Sequence, residues 1–179
     1  MKNKSILLVT AMVLLSACGF MQNSTGSNTG NTQQTTANTQ KSTNVNAAMS
    51  AGQGAGNALQ ALYAQYKADG NKYNYKNMQN ALNTVTLIAN CEGLKDNYKD
   101  KTYLTEFGKG LIASSLGLVT QNNVETVTNS LVEMVKNSET VQTATQQAQN
   151  TAGTAAGYVS TAAQYAGALS TLLGAFSGQ

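Results

Sequence analysis

Residues 46–67, NAAMSAGQGAGNALQALYAQYK, place Ala48, Ala51, Ala55, Leu59, Leu62 and Tyr66 three or four residues apart. That spacing lines one face of an α-helix, so a helix is predicted from Asn46 to about Lys67. DGNKYN at 69–74 then supplies a turn, with Gly70 where a helix would end. A second helix is expected from Tyr75 to Cys91, with Met78, Leu82, Val85 and Ile88 or Ala89 on its stripe, closed by Gly93 and the charged LKDNYKDK. A third, from Tyr103 to Val119, carries Leu104, Phe107, Leu111, Ser115 and Leu118. Gly108, Gly110 and Gly117 weaken it by up to about 1 kcal/mol each relative to alanine. Close approach of a neighbouring backbone is one reason to keep glycine there.

Beyond Val124 the pattern is the most regular in the chain. Val127, Leu131, Met134, Ser138, Val141, Thr145, Ala148, Ala152, Ala155, Val159, Ala162, Ala166, Leu169, Leu173 and Phe176 alternate steps of three and four, the signature of helices packed along a seam. One straight helix of that length would reach roughly 80 Å. A break is therefore expected between Asn150 and Gly153, giving two antiparallel helices. The seam is rich in alanine and small polar residues, which bury little area each. Residues 46–179 read as an all-α domain, a bundle of four or five helices.

Residues 19–45 are nearly all Asn, Thr, Gln, Ser and Gly. They bury too little apolar surface to offset the entropy of ordering, and a disordered tether with a reach of roughly 30 Å is expected. Ahead of them, Lys2 and Lys4 precede an apolar run from Ile6 that ends in Leu15-Ser16-Ala17-Cys18-Gly19. The run is short for a membrane span, which needs roughly 20 residues, and has the order of an export signal. LSAC followed by Gly resembles the lipobox of bacterial lipoproteins. The resemblance covers the first nineteen residues only. It implies a signal peptide of residues 1–17, cleavage between Ala17 and Cys18, and acyl chains, palmitate among them, on Cys18 as the membrane contact. Two or more chains anchor stably where one is marginal. Gly19 in place of Asp resembles lipoproteins passed on to an outer membrane, so the expected location is the cell envelope, at the outer membrane facing the periplasm.

Without residues 1–17, about 160 residues remain, enough for one domain and a tail. The formal charge of +3 is no invitation to nucleic acid or anionic lipid, because Lys2 and Lys4 leave with the signal and Lys41 sits in the tail. The other eight lysines equal the acids in number, and a nucleic-acid role has nothing to rest on. The chain has no His, Arg, Trp or Pro. It therefore lacks a residue that titrates near neutrality, a His-based triad, the common zinc sites and a bidentate clamp for phosphate or carboxylate. The expectation is no enzyme, no catalytic residue, no metal, no cofactor and no evident small-molecule substrate.

Cys91, the one other thiol, lies beside an apolar stripe without a cationic neighbour, and is expected to be a small buried hydrophobe. Tyr63, Tyr66, Tyr73 and Tyr75 with Lys67, Lys72 and Lys76 could form a sugar or peptide platform, but tyrosines at helix edges more often cap a core. Asp96, Asp100 and Glu106 do not match a calcium loop and read as solvated turn. No charged side chain follows Glu139. Small-xxx-small spacing recurs at Gly153/Gly157, Gly174/Gly178 and Gly52/Gly56, the spacing that brings helices close in lipid. The sequence thus points to a lipid-anchored envelope protein with a structural or protein-binding role, its partner another protein or a second copy. The alternative is a membrane-active or self-associating protein acting through residues 140–179.

Overall fold

The structure, a computed structural model of the full chain, describes residues 32–136 and 155–178, with side chains from Asn44 onward. The signal segment, Ala17, Cys18, the seam positions from Ser138 to Ala152 and the break expected at 150–153 lie outside the described residues. Among the described residues there are six helices and no strand: α1 (Thr32–Ala68), α2 (Met78–Asn97), α3 (Lys101–Ser114), α4 (Val124–Lys136), α5 (Ala155–Gln164) and α6 (Ala166–Ser177). The chain is all-α, with six helices where four or five were expected. The additional one arises at Tyr165, which is buried and whose backbone leaves helical geometry at φ −96° and ψ 1°. Turning there lets α5 lie on α2 while α6 reaches α1 and α4.

α1 begins at Thr32, fourteen residues inside the segment expected to be tether. Extending an existing helix costs far less than nucleating one. Residues 48–66 are held by packing, and no Gly or Pro interrupts the stretch from Thr32 to Ala51. The expected stripe holds, since Ala48, Ala55, Leu59, Leu62 and Tyr66 are buried and Ala51 is half-buried. The helix stops in a left-handed turn at Gly70 (φ 72°) and Asn71 (φ 62°), two residue types that tolerate that region.

α2 starts later and ends later than its apolar pattern suggests. Asn77 caps it, its side chain accepting from the backbone N–H of Gln79 at 2.9 Å. Gly93 does not stop it; the helix runs to Asn97, and a Cβ at Gly93 would overlap the Tyr103 hydroxyl. Its buried face is Asn80, Ala81, Thr84, Leu87, Ile88, Cys91 and Leu94. Met78, Leu82 and Ala89 point outward and Val85 is half-buried, so the helix is rolled away from the expected stripe. Polar residues occupy part of the core face, Thr84 with its hydroxyl bonded internally and Asn80 with its Nδ2 donating to the Asn74 carbonyl at 3.0 Å while its Oδ1 is buried without a partner. Thr84 Oγ1 donates to the Asn80 carbonyl at 2.8 Å, and the Tyr73 hydroxyl meets Thr84 Oγ1 at 2.6 Å.

α3 is capped by Asp100, which accepts from Thr102 N at 2.9 Å and Tyr103 N at 3.2 Å. It ends at Ser114, short of the expected Val119. It lies parallel to α1, with Gly110 against Met49 and Ser114 against Gly56. A Cβ at Gly52 would overlap the Phe107 carbonyl, one at Gly56 the Ser114 hydroxyl, and one at Gly110 the Met49 carbonyl. Small residues on both helices thus let two backbones touch, and the Ser114 hydroxyl donates across to the Gln53 carbonyl at 2.8 Å. α4 returns against α3 and ends with Lys136 Nζ 4.6 Å from the Tyr98 ring centroid. The seam read along the C-terminal third is realised in part. Val127, Leu131, Met134, Ala162, Leu169, Leu173 and Phe176 are buried, Val159 and Ala166 are half-buried, and Ala155 is exposed.

Candidate functional site

α3 and α4 diverge enough to leave an open groove of about 470 Å³. Leu104, Gly108 and Ile112 recur every four residues on α3 and form one wall; Val124 and Thr128 do the same on α4. Gly108 deepens the groove, because the position of a Cβ there is already 3.0 Å from the Val124 Cγ2. Lys101 and Lys109 stand on the α3 rim and Glu125 on the α4 rim. Lys109 is paired with Glu106 at 2.7 Å, a half-exposed ion pair of small energetic weight. The volume falls in the range of ligand sites; Leu104, Ile112 and Val124 give it apolar area, and Thr105, Gln121, Thr128 and Asn129 line it beside the charged rim. Such a surface accepts apolar side chains.

One end of the groove is bordered by the loop between α3 and α4, which sequence reading folded into the third helix. Ser115, Leu116, Gly117 and Leu118 make a tight turn closed by Leu118 N donating to the Ser115 carbonyl at 3.1 Å. Leu116 takes φ 50° and Gly117 φ 85°. The left-handed region is unfavourable for leucine and ordinary for glycine. Leu116 is nonetheless 78% exposed, the most exposed large apolar side chain among the described residues. A strained, solvent-facing leucine, in the loop that also gives the groove Gln121, is a surface suited to contact another molecule. The detectable trace in sequence is the pair Leu116-Gly117, which the reading of a helix to Val119 passes through, with Leu116 off the stripe of Leu104, Phe107, Leu111, Ser115 and Leu118.

The other candidates resolve into structure. Cys91 is fully buried, and desolvation pushes its thiol far above the ordinary range, so it stays protonated and inert at physiological pH. Native protein should therefore resist maleimide at Cys91 even at pH 9 and react once unfolded in guanidinium, read by intact mass. The four tyrosines do not form a platform. Tyr66 is buried, Tyr63 stacks on it at 6.3 Å and meets Phe176 edge-on at 6.0 Å, and Tyr73 is spent on Thr84. Burial raises the Tyr73 phenol, its hydrogen bond to Thr84 opposing in part. Asp100 is a helix cap and Glu106 faces Lys109, and no cluster of three or more His, Cys, Asp or Glu among the described residues could hold a metal ion.

The large apolar side chains of the charge-free C-terminal helices face inward: Leu169, Leu172, Leu173 and Phe176 are buried, while Ser160, Ala163, Gly167, Ser170 and Thr171 face out. Gly174 approaches Tyr66 with ordinary contact, and Gly178 has open space, so their spacing does not create the close crossing made by Gly52 and Gly56. No described helix is long and apolar enough to cross a membrane. No family model, no curated protein and no solved structure matches the chain.

Proposed function

We propose that this is a lipid-anchored cell-envelope protein whose helical body has a structural or protein-binding role, the α3/α4 groove and Leu116 forming the contact surface. The observation that carries the anchoring is the ordered series of Lys2 and Lys4, the apolar run from Ile6, and Leu15-Ser16-Ala17-Cys18-Gly19. A thiol at that place is the nucleophile on which a thioether to diacylglycerol can form. The groove supports the second half of the reading, because it offers apolar area within a charged rim. The membrane-active alternative draws less support, since it needs the buried leucines of α6 to leave a packed core. Replacing Cys18 by Ser should abolish incorporation of a labelled palmitate analogue, and the mature wild-type chain should begin at an acylated Cys18 by mass spectrometry. Photo-crosslinking residues placed at Ile112 and Leu116 in living cells should capture a protein that the same probe at Ser170 does not. An unmodified Cys18, or capture equal at all three positions, would overturn the corresponding half.

A further inference from the structure

Charge is segregated along the body. On the end formed by the close of α1, the 69–77 turn and the start of α2, the charged side chains are Lys67, Asp69, Lys72 and Lys76; α5 and α6 contribute none. The acids from Glu92 to Glu133 lie on the second half of α2, on α3 and α4, and on the turn between α2 and α3, beside the other five lysines of the described body. Asn90 of α2 packs at the level of Gly54 on α1, and Lys67 is roughly 20 Å further along that helix. Asp69 is turned inward, Oδ2 buried and Oδ1 accepting from Gln65 Nε2 at 3.2 Å, whereas the three lysines are exposed. The same pole carries Met78 and Leu82, two of the four exposed large apolar side chains among the described residues, one turn apart on a single face of α2. In the turn that leads into α2, Lys76 Nζ lies 6.0 Å from the Tyr75 ring centroid. The pole is about 55 Å from the start of α1 at Thr32, the end by which any N-terminal anchor would hold the chain.

The geometry points to this pole as a docking surface for a bilayer containing anionic phospholipid. Exposed lysines next to an apolar pair and a tyrosine are the combination that binds at a headgroup boundary, the lysines drawn to phosphate and Met78 and Leu82 entering the acyl margin. A soluble polyanion would use the lysines and have no use for the apolar pair. The contact is separate from Cys18 and would give an anchored chain a second, opposed membrane contact. The test uses full-length protein held by an added N-terminal oligohistidine tag on neutral phosphatidylcholine vesicles that carry a nickel-chelating lipid, so that the outcome does not depend on Cys18, with fluorescent acceptor vesicles added and captured fluorescence measured. Acceptors containing phosphatidylglycerol should be captured about fivefold more than neutral ones. K67Q/K72Q/K76Q should reduce capture to the neutral level, M78S/L82S should at least halve it, and K95Q/K99Q/K136Q should leave it unchanged. Equal capture of neutral and anionic acceptors, or equal loss in the two lysine triples, overturns the assignment of the pole. Full capture by M78S/L82S overturns the lipid and points to a soluble polyanion.

Discussion

Replacing Gly110 by Val should lower the free energy of unfolding by about 3–5 kcal/mol, and the thermal midpoint by ~10 °C or more. A side chain at this position has no flexible neighbour to push aside. Its Cβ would overlap the Met49 carbonyl, lie 2.7 Å from Gln53 N and 3.0 Å from Gly52 C, and all three are backbone atoms of α1. The helices would have to separate, opening the packing around Phe107 and Leu111 and stretching the Ser114 to Gln53 hydrogen bond. Gly167 is the internal control. Nothing lies within 4 Å of its Cβ position and it sits in the first turn of α6, so Gly167→Ala should be neutral or stabilising by up to about 1 kcal/mol. Chemical denaturation of the three proteins side by side measures both. Equal stability of Gly110→Val and wild type would mean that α1 and α3 do not cross where Gly52, Gly56 and Gly110 place them.

Those glycines show what was and was not legible in the sequence. A glycine inside a helical pattern announces either weakness or close approach, and periodicity alone does not choose. Gly110 is a backbone contact, Gly93 clears a tyrosine, and Gly117 belongs to a turn that ended the helix early. The face of α1 was readable because its stripe is apolar throughout. That of α2 was not, because Asn80 and Thr84 lie in the core, the Thr84 hydroxyl bonded to the backbone and Tyr73 and the Asn80 amide bonded through Nδ2 alone. Counting apolar residues therefore assigned Met78 and Leu82 inward, and it is their exposure that gives the distal pole its character. The groove was unreadable for a related reason. Leu104, Ile112 and Val124 satisfy a core pattern equally well whether α3 and α4 close on each other or stand apart, and the side chain that would decide is absent at Gly108.

Introducing Asp at Leu173 should have the largest effect of any single change in the C-terminal third. Leu173 is fully buried on α6, neither α5 nor α6 carries a charged side chain that could pair with it, and the surrounding packing includes Phe176 edge-on to Tyr63. An unpaired carboxylate in such a place costs several kcal/mol, comparable to the whole stability of a domain of about 5–15 kcal/mol. Leu173→Asp should therefore lose the cooperative transition near neutral pH rather than merely shift it. Burial raises the pKa of the new carboxyl in the folded state above its unfolded value of about 3.9, so between those two values the folded state holds more protons. The variant should then gain stability as pH falls from 8 toward 5 and lose it as pH rises, while wild type, lacking this group, should not show that dependence. Circular dichroism melts across that pH range read both signs at once. The same experiment separates two uses of the charge-free helices. If α5 and α6 are part of the folded core, the aspartate unravels the whole body. Were they a detachable membrane-seeking segment, the melt of α1 to α4 would be indifferent to it and only vesicle binding would change.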